Sequence, residues 1–473
     1  DAAYESLLVR TRQYYHRQVA ELLERKHPEI VESQPELLAH HYARAGQADK
    51  TVEYLSRFAD MAAGLYAHAE ALAALEEACA HGERLPAEDR DRCVLELVVR
   101  QAQSLHFLGR REEIVRLLSA HRGRLERLQE PALSGQYYFW LGFAHAWLGH
   151  RDEAAEGLQR GLEDATRAGD EAVMGKIHRA LATEYVYSGR TLDDAIAHAR
   201  QAAALLERTD DRLWLSQALF TLSYCCVFAG DFDSALEAAA RLKRFGDTSG
   251  LRRAQANAAM LAGLSRATRG EGEAGIALCE QALELSPDDF ETAFILACLG
   301  RAAWEAGDVA RAVTVLEDAV ALADEVRSLQ FRAWFRTMLG EAYVSSGAMQ
   351  KAIDVVSKAL DVSTETQFIL GVGLSKQVLG TVAQAQGDLP ASQRHLNDAR
   401  RIFVELGARF ELGRTLLGLA TLSHVLGDRE DLAAQVKEAR SLFAETKAAK
   451  YIERTDRLCE QLGAGVSGAP GPP

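Results

Sequence analysis

Ten glycines recur along this chain at a nearly constant interval: Gly46, Gly109, Gly149, Gly189, Gly230, Gly270, Gly307, Gly347, Gly387 and Gly427. After a first gap of 63 residues the successive spacings are 40, 40, 41, 40, 37, 40, 40 and 40. A period in this range builds a stack of similar supersecondary units, each contacting its neighbours, and not one globular core. Seven residues before each glycine the side chain is small, as at Ala39, Gly142, Ser223, Gly300 and Gly340, and the residue before that is usually leucine. Alanine returns five residues after the glycine at Ala154, Ala235, Ala312 and Ala352, and twelve after it at Ala282, Ala319, Ala359, Ala399 and Ala439.

This frame predicts a helical hairpin. The small residue of the first helix and the alanines of the second sit where two helices must approach closely, with leucine filling the space between them. The glycine ends the first helix, where a left-handed backbone costs little without a Cβ. Asp231, Asp308, Asp388 and Asp428 follow it and suit N-cap duty. Between Gly46 and Gly109 the unit is irregular: Ala59, Ala71 and Ala78 fit the frame only if Tyr66 stands in for the glycine, and the helix phase over residues 47–87 stays open.

This pattern resembles the tetratricopeptide repeat (TPR) from about Leu37 to Phe443, the cleanest copy being Leu299–Ala323, LGRAAWEAGDVARAVTVLEDAVALA. The resemblance implies an all-α, right-handed solenoid of about ten hairpins, lengthened to about 40 residues from the usual 34. It also implies that first-helix residues 10, 6, 3 and 2 positions before the turn glycine line a concave, partner-binding face. In this chain those are Phe139, Phe143, Trp147, Tyr187, Phe220, Tyr224 and Phe228, with Arg301, Trp304 and Glu341 further on. Exposed aromatics of this kind anchor protein interfaces; packing between widely spaced helices is the other use such side chains have.

A second resemblance lies at the start. The segment AAYESLLVRTRQYYHRQVAELLE (Ala2–Glu24) followed by PELLAHHYARAG (Pro35–Gly46) is similar to the junction after the ATPase module of bacterial signalling proteins. Those proteins join a class III nucleotidyl cyclase or a protein kinase to an AAA/STAND-type ATPase and a TPR arm. The resemblance implies that the chain is a fragment of something longer, a cytoplasmic sensor or autoinhibitory arm whose partners are a protein or peptide in the groove and the upstream ATPase or effector domains. A free-standing scaffold bridging two proteins, or the small-molecule-sensing arm of a transcription regulator, are the alternatives. The domain boundaries expected are an N-terminal helix over 1–34, a solenoid over 35–445, a capping helix over 446–462 and a disordered tail over 463–473.

Other chemistry finds little support. There is no GxxxxGK[ST] phosphate loop, HExxH or GxSxG, so neither a catalytic residue nor a cofactor is expected. His40 and His41 are adjacent on a helix and face about 100° apart, unsuited to one metal. The seven cysteines form no CxxC and read as buried free thiols in a reducing compartment. A net charge of −14 opposes a general nucleic-acid surface, and the basic residues at Arg241–Arg244, Arg252 and Arg253 read as solvated helix ends. No apolar run is long enough to span a membrane, so neither nucleic acid nor membrane is expected as a partner.

Overall fold

The computed structural model describes residues 8–326 and 329–462, and over them the chain forms 24 helices packed in succession. The expected disordered tail, 463–473, and the first residues of the junction-like segment lie outside the described residues. The chain divides into two compact units, Asp1–Met174 and Gly175–Pro473.

The first unit opens with α1 (Val9–Lys26) and the short α2 (Pro28–Ser33). Hairpins follow: α3 (Pro35–Ala45) with α4 (Ala48–Gly64), then α5 (His68–Gly82), α6 (Ala87–Phe107) with α7 (Arg111–Leu128), and α8 (Pro131–Leu148) with α9 (Arg151–Ala168). Helix α10 (Glu171–Ser188) leads into the second unit, which continues with α11 (Leu192–Leu206), α12 (Arg212–Ala229) and α13 (Phe232–Ser249). Next come α14 (Arg252–Arg269), α15 (Gly272–Leu285), α16 (Asp289–Ala306), α17 (Val309–Glu325) and α18 (Leu329–Ser345). The last six are α19 (Met349–Glu365), α20 (Ile369–Ala385), α21 (Leu389–Leu406), α22 (Arg409–Leu426), α23 (Arg429–Glu445) and α24 (Ala449–Leu462).

All ten periodic glycines have positive φ, from 73° at Gly109 to 111° at Gly270, and each ends a helix as expected. Tyr66, twenty residues after Gly46, is left-handed as well, with φ 62°, at the turn from α4 to α5. The four aspartates are N-caps, their side chains accepting from the backbone N–H groups of Ser234, Arg311, Ala391 and Asp431. The small residue marks a close crossing. A Cβ on Gly142 would stand 2.8 Å from the Leu158 backbone N, and one on Gly300 2.5 Å from Leu316. A second left-handed position, twenty residues after the glycine, closes the second helix at Gln129, Gly169, Gly250, Gln367, Gly407 and Lys447.

Within the second unit the turns of early hairpins meet turns far along the chain. Gly189 abuts Ile369, Gly230 abuts Phe410 and Gly270 abuts Lys450, each pair 180 residues apart. Tyr187 packs on Phe368 with ring centroids 4.7 Å apart, and Phe232 on Phe410 at 5.4 Å. Ion pairs Arg409–Asp193 (3.0 Å) and Lys447–Asp233 flank these contacts. The wall of hairpins therefore closes on itself and covers inward side chains such as Tyr187, Tyr224 and Phe228.

Candidate functional site

That closure decides where the aromatic residues of the second unit lie. Phe139, Phe143, Tyr187, Tyr224 and Phe228 are buried, while Trp147, Phe220 and Trp304 are half-buried. In the first unit Phe139 stacks on Phe143 (5.5 Å), whose ring also meets His106 (5.1 Å), and Arg111 lies over Trp147 at 4.4 Å. In the second, Tyr187 and Tyr224 join their hydroxyls at 3.3 Å, Tyr224 packs edge-on against Phe228 (4.6 Å), and Phe228 meets Trp334 (5.0 Å). Phe220 stacks beside Tyr224 at 5.9 Å. The open aromatic groove expected from the repeat frame is thus a packed interior. Of the two uses foreseen for these rings, packing is the one their surroundings display.

An open cavity lies further along the second unit, with a volume of about 580 Å³. Its walls come from the first helices of four successive hairpins, α16, α18, α20 and α22, and from α24. Many lining residues occupy the positions named by the repeat frame. Glu341, Thr381 and Thr421 lie six before their turn glycines, Trp304, Val344 and Gln384 three before, and Gln377 and Leu417 ten before. The cavity thus draws its lining from frame positions of the later hairpins and not from the aromatic stretch. Arg414, Tyr451, Arg454 and Arg457 also line the cavity and were missed. Arg414 sits one turn beyond the frame, and the others belong to α24, which no turn glycine follows within the described residues.

The floor is a buried ion-pair network in which three cations meet three carboxylates. Arg301 reaches Glu305 (2.9 Å) and Glu341 (2.5 Å); Arg414 reaches the other oxygen of Glu341 (2.5 Å) and Glu411 (2.8 Å); Lys450 meets Glu305 (3.3 Å). The Tyr451 hydroxyl donates to Glu305 at 2.9 Å, which docks α24 onto α16. Burial works against the charge on Arg301, yet Glu341 and Glu305 outweigh it and its pKa is raised. Burial likewise opposes ionisation of Glu341, but Arg414 and Arg301 hold its pKa below the usual carboxylate range. Trp304 forms a shelf beneath two guanidinium groups, Arg301 at 4.7 Å and Arg414 at 5.6 Å, and its indole N–H donates to the Ser345 hydroxyl at 2.8 Å. A smaller void of about 40 Å³ adjoins Phe228, Arg301, Trp334 and Glu411.

This arrangement can bind and orient, and it sets each of its three acids against a cation. Among the described residues no group of three or more His, Cys, Asp and Glu side chains is placed to hold a metal. His40 is exposed, and His41 shares an Nδ1–Nδ1 hydrogen bond of 2.9 Å with His16. The cysteines are free, five buried and Cys79 and Cys93 half-buried, and burial raises the Cys226 and Cys279 thiols to about 12. Among the basic residues of α13 and α14, Arg241 pairs with Glu207 (2.5 Å), Lys243 with Asp247 (2.6 Å) and Arg253 with Asp288 and Glu291, while Arg252 donates to the Glu284 carbonyl at 3.1 Å. No described helix is long and apolar enough to cross a membrane.

No protein-family model matches the chain, and no curated protein matches it significantly in sequence. Solved structures do match. A Rap protein complexed with Competence and Sporulation Factor superposes with TM-score 0.53 at 13% identity, over 78% of this chain and 98% of its own. The fold is a TPR-like solenoid. The apo form of RapI gives 0.45 at 15% identity over 57% and 98% of the two chains. The APC/C hetero-tetramer Cut9–Hcn1 gives 0.39 at 14% identity over 96% and 98%. At these identities the likeness is one of fold alone.

Proposed function

We propose that this TPR-like chain is an interaction arm that seats a segment of a protein or peptide partner in the cavity between Trp304 and Arg454, with no chemistry of its own. The cavity itself supports this most directly. Its volume of about 580 Å³ falls in the range of ligand sites, and its lining sits on helices held rigid by the buried ion pairs. The Rap protein of similar fold was solved with Competence and Sporulation Factor bound, so ligand capture is within the reach of this architecture. Filling the cavity with Thr421→Trp tests the reading. Loss of cross-linked partners in the source cells with an unchanged melting curve supports it; partners retained by the variant overturn it.

In its finer form the proposal makes this arm the sensor or autoinhibitory part of an ATPase-based signalling protein. The junction-like opening supports that placement, and so does the outer face of α1. Leu8, Tyr15, Val19 and Leu22 lie on one side of the helix and are all exposed, 78%, 56%, 40% and 42%, as a helix flanking another module would be. Deleting residues 35–462 from the parent polypeptide should alter its basal nucleotide turnover. An unaltered rate with regulation intact would leave only the scaffold reading.

A further inference from the structure

The polar inventory of the cavity is unbalanced in one direction. The network beneath it pairs its charges three against three, whereas Arg454 and Arg457 on α24 line the cavity and form no ion pair among the described residues, Arg454 acting on Glu341 only at longer range. Arg457 donates only to the backbone carbonyl of Glu453, at 3.4 Å, one turn earlier. A chain of net charge −14 thus presents two exposed guanidinium groups, neither held in an ion pair among the described residues, over one concave site.

A second observation concerns Gln377, which lines the cavity and is only 5% exposed. Its Nε2 donates to the Glu411 carbonyl (3.0 Å) and to the Thr415 hydroxyl (2.8 Å). A carbonyl can only accept, so the amide orientation is fixed and Oε1 is the atom left without a donor. A buried acceptor in that state is a cost that a bound N–H group removes. Thr381, Gln384 and Thr421 alternate with Val344, Val378 and Leu417 around the wall, a lining suited to main-chain amides flanked by side chains.

We infer that the cavity takes a short acidic peptide segment, its carboxylates on Arg454 and Arg457 and a backbone N–H supplied to the Gln377 amide oxygen once a shift of that side chain brings the sealed oxygen to the cavity wall. This rests on the proposal that the cavity is the binding site and adds the chemistry of the occupant. Arginine suits the role because its planar fork meets a carboxylate with two parallel hydrogen bonds.

The test is calorimetric titration of the chain with a short peptide alternating glutamate and alanine, with its glutamine and lysine counterparts, and with free citrate. The glutamate peptide should bind, weaken by about tenfold when Arg454→Gln and Arg457→Gln are combined, and be lost on Thr421→Trp. Both arginines are exposed, so the double variant should keep its circular dichroism and melting curve. If Thr421→Trp does not fold, Ser345→Trp at the exposed rim fills the same space. Glutamine or lysine peptides that bind as tightly, ignore the arginine substitutions and are lost on Thr421→Trp overturn the acidic occupant and leave the cavity as an interaction site. Citrate binding with the same arginine dependence, while the glutamate peptide is silent, overturns the peptide and assigns a small polycarboxylate. Silence of both overturns the inference, and peptide binding that survives filling of the cavity overturns the underlying site as well.

Discussion

The two compact units are built from the same hairpin, yet their side chains reach very different distances along the sequence. In the first unit Arg100 bonds to the Ser56 carbonyl and Asp60, and Arg124 to Glu83, so neighbouring hairpins are tied together. In the second, Tyr187 meets Phe368, Asp233 meets Lys447 and Glu305 meets Tyr451, contacts that skip several hairpins. A repeat array whose units touch only neighbours has stability that sums along the chain. Contacts between distant repeats should bind the second unit into one cooperative body, while the first opens hairpin by hairpin.

The sharpest way to break this contrast is Glu341→Ala, which leaves Arg301 and Arg414 buried without their shared carboxylate. The cost should be about 3–5 kcal/mol. Native-state hydrogen exchange should lose protection across residues 175–462 and keep it over 35–168. Loss confined to α18 would show that the second unit is not one body.

Gly142→Leu and Gly340→Leu probe what the units share, the close crossing inside a hairpin. Each should lose about 1–3 kcal/mol by overpacking, Gly142 against Leu158 and Gly340 against Val356. Melting curves showing a large cost in one unit alone would mean that the crossings are not equivalent.

Glu291 separates the units by pH. Burial, only partly offset by Arg253 at 3.3 Å, raises its pKa to about 7. The folded state therefore holds the proton more tightly than the unfolded chain, and stability falls as pH rises from about 4.5 to about 7. Glu291→Gln should gain about 1–3 kcal/mol at pH 8 and little at pH 4.5, in the second unit alone. A gain of equal size at both pH values would refute the raised pKa.

Smaller effects refine the picture. Tyr66→Gly relieves a left-handed backbone at an exposed position in the first unit and should add about 0.5–1 kcal/mol, read as a higher urea midpoint. Arg409→Ala removes a partly exposed closing pair with Asp193 and should cost about 0.2–1 kcal/mol, less at high salt. A larger loss would mean that this contact does more than trim the closure.

The hairpins were legible because their determinants are local. A left-handed turn selects glycine, an N-cap selects aspartate, and a close crossing selects a small side chain, each at a fixed offset. The second left-handed position escaped notice because Gln129, Gln367 and Lys447 occupy it as readily as Gly169, Gly250 and Gly407, so no single residue type marks it. The closing contacts left no signature either, since nothing in Gly230 announces Phe410. The repeat frame named Trp304 and Glu341, which line the cavity. Which part of that surface stays open depends on the closure, and Arg454 and Arg457 lie on a helix outside the frame.

The offset of 180 residues between touching turns is about four and a half repeats, so the turn inside one hairpin nests against the turn between two others. An open array can gain or lose a whole copy and keep every remaining interface. Here a duplicated or deleted hairpin between Gly189 and Lys450 would slide every closing pair past its mate, setting Asp193 and Gly230 against the wrong loops. The second unit is therefore held to a fixed copy number, and its lineage should change by substitution where the first can also change by duplication.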